Sequence, residues 1–216
     1  TAITVDSNYV YLAAHSKGLC IISASDSILK NWDNTKALTA VYTGGFGIIT
    51  AIKKVGNYLY MGTNSTGAEH CGALVIADIL NPRVPVEKAY YSILHLDNAE
   101  KFMRVSQVDV NGNYVYVSTN DSTVTIDSEK CGNGIYIFNS EKAKNNLTSN
   151  SVQLDTPTLY RDLKMPLPRR ISDIKKYGQI MYICEQDGKC IKAADISNPT
   201  NPVVVSTTST KSGEIN

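Results

Sequence analysis

The sequence predicts an all-β fold, a β-propeller of four-stranded antiparallel blades with four blades present in the chain. Three observations predict it. A tyrosine-rich phrase recurs four times, every copy sits in period-2 alternation bounded by turn residues, and helical periodicity is nearly absent. The phrase reads Asn8-Tyr-Val-Tyr-Leu-Ala13, Asn57-Tyr-Leu-Tyr-Met-Gly62, Asn113-Tyr-Val-Tyr-Val-Ser118 and Gln179-Ile-Met-Tyr-Ile-Cys184. Gly56, Gly112 and Gly178 precede three copies, and Ser7 the first. Upstream lie the apolar pairs Ile3 and Val5, Ile52 and Val55, Val108 and Val110, and Ile171 and Ile174. Each copy therefore reads as a β-hairpin whose Gly/Asn turn tolerates positive φ.

A third strand follows each hairpin, usually after a glycine, at 19–22, 74–77, 135–138 and 191–194. Two of these run into matching turns, Asn81-Pro-Arg-Val-Pro-Val86 and Asn198-Pro-Thr-Asn-Pro-Val203. Proline cannot donate to a ladder, so these turns end strand three and lead into strand four. The fourth strands are then 40–43, 86–91, 158–162 and 203–207. Weak helical character is confined to 97–104 and 140–150. Four short strands per unit suit a propeller blade better than a sandwich. A single blade cannot cover both of its faces, so the next blade must.

The blades fall at about 1–46, 47–103, 104–169 and 170–212, with 213–216 starting a further inner strand. Aligned on the hairpin turn, Thr1, Thr50, Ser106 and Ser172 share one phase, and Asn216 falls on it again. Two arrangements fit. One is a closed four-blade ring, with 213–216 against 1–5. The other, which is favoured, is part of a larger ring. Residues 1–216 are thus one propeller domain or a fragment of one.

Composition narrows the function. There are 21 basic and 20 acidic side chains, a net charge of +1, so no field of one sign favours nucleic acid or an anionic membrane. No apolar run approaches the ~18 residues of a membrane span. Absence of Cys-x-x-Cys argues against zinc ribbons and c-type haem. The 13 tyrosines suit half-buried strands and a polar, uncharged surface. No nucleophile elbow, phosphate loop, His-Glu-x-x-His or EF-hand loop occurs. Gly44-Gly45-Phe46-Gly47 enters a strand, so no helix dipole stands behind it to hold phosphate. The basic cluster of Arg161, Lys164, Arg169 and Arg170 lacks aromatic interleaving and reads as a solvated connection.

At these repeats the chain resembles the LVIVD-repeat family of β-propellers. The family pattern is Gly-Asn-Tyr-x-Tyr-Val, then Gly-Leu-Val-Ile-Val-Asp, then Ser-Asn-Pro-x-x-Pro. The second repeat carries Gly56-Asn57-Tyr58-Leu59-Tyr60, Ala73-Leu74-Val75-Ile76-Ala77-Asp78 and Asn81-Pro82-Arg83-Val84-Pro85. The fourth carries Ala193-Ala194-Asp195-Ile196-Ser197-Asn198-Pro199 and then Pro202. The first and third lack the Asn-Pro turn. The third also resembles the Tyr-Val-Thr-Asn repeat of surface-layer propellers, at Tyr116-Val-Ser-Thr-Asn120 and Thr123-Val-Thr-Ile-Asp127. The single Trp32 fits no repeat signature that needs a tryptophan per blade. The resemblance implies an extracellular or cell-surface location and a binding or scaffolding role. It supplies no catalytic residues.

Blade topology would place the second-to-third strand loops and the blade-to-blade connections on one face. That face would hold His15, His70, His95 and the loops 63–72 and 119–134. One reading is a metal or catalytic site from His70, His95, Glu69 and Asp97. The favoured reading is solvated loop histidines, because no ligand spacing is present. No catalytic residue, metal or cofactor is expected.

Cys71 and Cys131 precede the third strands of neighbouring blades, as a disulfide or as two independent thiols. Cys184 and Cys190 face each other across a hairpin if Gln186-Asp-Gly188 forms a three-residue loop, and a bridge is favoured there. A two-residue Asp-Gly turn would separate them. Cys20 is expected to be a buried apolar thiol. Sequons at Asn64, Asn120 and Asn146 are expected in loops.

Two classes of function remain, with a third beside them. The favoured one is a non-catalytic surface or secreted module that binds a protein, glycan or assembly at its loop face or blade edges, with no nucleic acid. The second is a metal-assisted propeller hydrolase using the loop face. The third is a structural subunit of a surface layer or filament.

Overall fold

Turn chemistry sets the register of every sheet. The computed structural model describes residues 2–14, 18–24, 38–42, 48–64, 72–94, 103–121, 132–148, 150–160 and 170–209. Among the described residues the regular structure is seventeen strands and one short helix, α1 (Glu141–Lys144). The first sheet holds β1 (Ala2–Val5), β2 (Tyr9–Ala13), β3 (Leu19–Ser23) and β4 (Leu38–Tyr42) in chain order. The second holds β5 (Ile48–Val55), β6 (Tyr58–Asn64), β7 (Ala73–Asp78) and β8 (Val86–Ser92). The third holds β9 (Val105–Asn111), β10 (Tyr114–Thr119), β11 (Ile135–Asn139) and β13 (Thr158–Tyr160). The fourth holds β14 (Ile171–Tyr177), β15 (Ile180–Glu185), β16 (Cys190–Asp195) and β17 (Val203–Ser209). Each of these four-strand sets is antiparallel throughout, as the sequence predicts.

The three predicted glycine turns hold Gly56, Gly112 and Gly178 at φ 57°, 60° and 58°. This is the left-handed region that L side chains rarely adopt, although a Cβ there would meet nothing within 4 Å. Conformation rather than space therefore selects glycine. In the first repeat Asp6 performs the same task differently. Its Oδ1 accepts from the Asn8 and Tyr9 N–H groups, each at 2.8 Å. The Asn-Pro turns are closed by their asparagines. Asn81 O accepts from Val84 N at 2.9 Å, and Asn198 O from Asn201 N at 3.1 Å.

The insertion in the third repeat does not stay with its own sheet. Of the two weak helical stretches, 97–104 falls mostly outside the described residues and 140–150 yields α1, after which the chain forms β12 (Val152–Gln153). This strand pairs in parallel with β8, adding a fifth strand to the second sheet. Asn146 Nδ2 donates to Lys88 O at 2.9 Å, and Lys88 Nζ to Thr148 O at 2.9 Å. The excursion therefore straps the third repeat over the outer edge of the second. It also protects strand-edge hydrogen-bonding groups that would otherwise be open to pairing.

The sheets stack face to face through apolar side chains. Tyr11, Leu19 and Ile21 of the first sheet pack with Ile52, Leu59, Met61 and Val75 of the second. Tyr60, Leu74 and Ile76 pack with Val105, Val108, Val115 and Phe138 of the third. Tyr116, Ile135 and Ile137 pack with Ile171, Ile174, Met181 and Ile183 of the fourth. Each large side chain buried this way stabilises the fold by roughly 1.5–3 kcal/mol. Inner strand β1 lies beside β5, β5 beside β9, and β9 beside β14. Among the described residues no comparable packing joins β14 to β1, so the four sheets are not closed into a ring. No helix among these residues is long and apolar enough to cross a membrane.

Polar groups fasten the inner strands. The residues of shared phase, Thr50, Ser106 and Ser172, each sit at a bulge in their inner strand. Thr50 Oγ1 donates to Val105 O at 3.0 Å, and Ser106 Oγ to Ile171 O at 2.6 Å, each reaching the following sheet. The bulge turns an otherwise ladder-bound position toward its neighbour. Asp109 is the buried centre of this system. Its carboxylate takes the Lys53 ammonium at 2.7 Å from β5 and the Lys176 N–H at 2.6 Å from β14. It also accepts from Val110 N at 2.9 Å, so three sheets meet on one side chain.

Asp109→Ala should cost about 1–3 kcal/mol in urea denaturation, because it removes the buried acceptor of the Val110 and Lys176 N–H groups, whereas Lys53 keeps access to water. Asp155→Ala, at the exposed Lys142–Asp155 pair (3.2 Å), should cost less than about 1 kcal/mol. A second expectation concerns acid. Burial alone would raise the Asp6 carboxyl, but the Asn8 and Tyr9 N–H groups, Lys54 and the Tyr11 hydroxyl outweigh it and hold it below the usual carboxylate range. A lowered folded-state value means stability that is fully present above the ordinary carboxylate range and lost as pH falls through the folded value. Asp6→Asn should therefore flatten the acid limb of a melting-temperature profile while lowering stability at neutral pH.

Candidate functional site

Antiparallel alternation brings two sets of strand ends to one end of the sheets. One set bounds the second-to-third strand loops, and the other bounds the connections between sheets. Residues His15, His70, His95, Glu69, Asp97, Cys71 and Cys131 all lie outside the described residues, in the segments 15–17, 65–71, 95–102 and 122–131. What is described is the platform from which those segments leave.

The platform is built from one repeated position. In three of the four repeats the residue after the second strand core is an amide: Asn64, Asn120 and Gln186. Asn64 Oδ1 accepts from Val105 N at 2.7 Å, and its Nδ2 donates to Val105 O at 3.3 Å. Asn120 Nδ2 donates to Gln186 Oε1 at 3.0 Å, and Gln186 N to Arg170 O at 2.9 Å. Arg170 in turn clasps Asp187 through Nε at 2.9 Å and through its terminal nitrogen. The pairing with Asp187 pushes the guanidinium further above its ordinary value. So Asn64 ends β6 with its side chain bonded to the next sheet, and is not the loop residue its sequon suggested. The signal was legible in the alignment, where an amide follows the second strand in three repeats.

One layer deeper, Thr63 and Thr119 are buried and bond the start of the third strand. The Thr63 hydroxyl accepts from Ala73 N at 3.2 Å, and the Thr119 hydroxyl from Gly134 N at 3.0 Å. The fourth sheet breaks this rule by placing Glu185 at the same position. Glu185 Oε1 receives the Lys192 ammonium at 2.7 Å, with both side chains nearly withdrawn from water. The Cys190 thiol donates to Glu185 Oε2 at 3.4 Å. Lys192 stands where Val75 and Tyr136 occupy the equivalent places, so a buried ion pair replaces apolar packing at this one interface. The sequence reading passed over this pair, because the two residues are seven apart and meet only once the hairpin register is known.

That register also corrects the expected Cys184–Cys190 bridge. Gln186 O accepts from Lys189 N, which leaves Asp187 and Gly188 as a two-residue turn. Glu185 then opposes Cys190, and Cys184 opposes Ile191. Directly opposed residues share a face and successive residues alternate, so the two sulfurs lie on opposite faces and no disulfide joins them. Burial raises the Cys184 thiol, with the Asp173 charge adding to it. Cys20 is half-buried rather than fully buried. No cluster of three or more His, Cys, Asp or Glu side chains able to hold a metal occurs among the described residues.

Stacked four-stranded antiparallel sheets with adjacent inner strands define a propeller-like protein, and comparisons with known proteins agree. The LVIVD repeat matches residues 1–27, 47–92, 104–127 and 168–210. The chain belongs to the LVIVD-repeat family. No curated protein matches it. Among solved structures it is similar to a candidate 6-phosphogluconolactonase of Bacteroides fragilis NCTC 9343, at TM-score 0.64 and 10% identity, covering 98% of this chain and 57% of that one. It is similar to the periplasmic gluconolactonase of Pseudomonas aeruginosa at TM-score 0.57 and 11% identity, covering 99% of this chain and 58% of that one. It is also similar to the computationally designed protein Ika8 at TM-score 0.53 and 15% identity, covering 96% of this chain and 48% of that one. The chain thus spans roughly half to three-fifths of the length of these structures, and at such identities the likeness shows the fold alone.

The Glu185–Lys192 pair makes a measurable prediction. Lys192→Met should cost about 3–5 kcal/mol, because it removes the ammonium that neutralises a buried carboxylate. The double variant Glu185→Leu with Lys192→Met should recover most of that loss. Chemical denaturation of the single and double variants reads the coupling directly.

Proposed function

We propose that this protein is a non-catalytic surface or secreted module that binds a protein or glycan through the loop end of its sheets. The observation that supports this reading is the amide platform. Asn64, Asn120 and Gln186 are engaged in inter-sheet hydrogen bonds, which makes the end of the stack a rigid base. The strand ends that bound segments 65–71, 95–102 and 122–131 lie at that base. Binding residues on loops held by a rigid scaffold are a common solution in β proteins. Membership of the LVIVD-repeat family supports the surface or secreted location. Assembly into a layer or filament is a variant of the same role.

The second reading is a metal-assisted hydrolase with His70, His95, Glu69 and Asp97 on the loop end. The fold likeness to two lactonases favours keeping it in view, though it extends to fold only.

The test is a glycan and protein-array screen of the purified chain, alongside metal analysis and lactone and ester hydrolysis assays. A binding signal should disappear when 65–71 and 122–131 are replaced by short Gly-Ser segments that leave the melting temperature unchanged. Stoichiometric metal and hydrolysis, both lost in the His70→Ala, His95→Ala double variant, would overturn the module reading.

A further inference from the structure

The excursion from the third repeat is bounded on both sides by elements of its own sheet. Before it, α1 is fixed to the turn between β9 and β10. Ser140 N donates to Asn113 O at 2.8 Å, and Lys144 Nζ donates to Asn113 Oδ1 at 2.8 Å and to Gly112 O at 3.0 Å. After it, β13 pairs with β11. The chain between lies on the second sheet, and its hold there is short. Val152 and Gln153 meet Ala89 and Tyr90 in the only parallel pairing among the described residues. Leu154 N donates to Tyr90 O at 2.9 Å. The two contacts with Lys88, from Asn146 Nδ2 and to Thr148 O, hold the lower end.

Closing the strap also carries a cost. Ser151 Oγ and Tyr60 Oη are the two buried side-chain polar atoms without a hydrogen-bond partner among the described residues. Ser151 lies in the strap itself, and Tyr60 lies in the core that Ala143 of α1 and Leu154 of the strap complete. The equivalent tyrosines are satisfied. Tyr11 donates to Asp6 Oδ2 at 3.0 Å, and Tyr116 to Pro199 O at 3.3 Å. Pro199 belongs to the Asn-Pro turn that the third repeat lacks, so Tyr60 meets Ser140 and α1 instead. Burial pushes the Tyr60 hydroxyl up and Ser140 opposes it, but the Ser140 proton goes to Asn113 O at 2.8 Å. A buried hydroxyl without a partner has lost its bonds to water with no replacement, and opening restores them.

We propose that the chain between α1 and β13 is a hinged strap that opens locally, lifting from β8 while α1, β13 and the stacked sheets stay in place. The hinges are the ends already held by the third sheet. The sheets draw their stability from apolar stacking, whereas the strap rests on a few backbone and side-chain bonds and on Leu154, which is 3% exposed. Opening is therefore a smaller event than unfolding. It frees the outer edge of β8 at 88–90 and the apolar ground beneath Leu154. A guarded strand edge becomes an accessible one. The device sits on the outer edge of the second sheet and is independent of what the loop end binds.

Native-state hydrogen exchange of the whole chain, across a series of sub-denaturing urea concentrations, tests this. The Leu154 amide, bonded to Tyr90 O, reports the strap, and the amides of β6 and β7 report the stack. Leu154 should exchange faster than β6 and β7 by about a hundredfold or more, with little dependence on urea. Ser151→Ala removes the unpartnered hydroxyl and should slow Leu154 exchange by about tenfold. Asn146→Ala removes the bond to Lys88 O and should speed it by about as much. A Leu154 amide that shares the urea dependence of β6 and β7 means that the strap opens only with the whole fold, and overturns the proposal. So does a Ser151→Ala chain whose Leu154 amide exchanges as fast as the parent's or faster.

Discussion

A four-stranded sheet with apolar side chains on both faces must be covered twice, and the rest of this structure follows from that constraint. Leu59, Met61 and Val75 of the second sheet look back to the first, while Tyr60, Leu74 and Ile76 look forward to the third. Neither set can be satisfied inside its own sheet, because alternation sends successive residues to opposite sides. Stacking is therefore the source of stability, and turns, bulges and polar contacts serve to hold the stack in register.

Apolar stacking alone does not choose a register, since hydrophobic contact has no direction. The inner strands supply the direction. Asp109 draws Lys53 from one side and the Lys176 N–H from the other, so a slip of either neighbour breaks a buried charge-assisted bond. Thr50 and Ser106 repeat the idea with a hydroxyl at a bulge, and Asn64 and Asn120 with an amide at the loop end. The buried Glu185–Lys192 pair departs from the apolar rule of the earlier interfaces. It places a buried charge pair at the join between the third and fourth sheets. A polar frame of this kind ties the strand ends of neighbouring sheets to one another.

Local features were legible in the sequence. The four hairpins, the glycine turns and the Asn-Pro turns followed from alternation and from backbone chemistry that acts over two to six residues. The polar frame was less legible. Asn64, Asn120 and Gln186 carry a repeat signal, but an amide after a strand reads equally well as loop or sequon until its partner is known. Asp109 gives no local sign of its role, since Lys53 and Lys176 lie far from it along the chain. The histidines and acids named as loop-end candidates stand outside the described residues.

The sequence by itself determined the four repeated hairpins, the glycine and Asn-Pro turns, and which side chains share a face within one strand. These depend on φ preferences and on a period of two, both properties of neighbouring residues. Tertiary structure decided what covers each face. Tyr60 and Tyr182 occupy the same place in the same phrase, yet one is buried and the other half open, because among the described residues only Tyr60 has a sheet packed on its side. It also decided that β12 leaves its own repeat for the edge of β8. A turn one residue shorter than the alternative put Cys184 and Cys190 on opposite faces. In each case the deciding partner is distant in the chain, or its face is reversed by a one-residue step, and period-two reasoning has no means of choosing between such states.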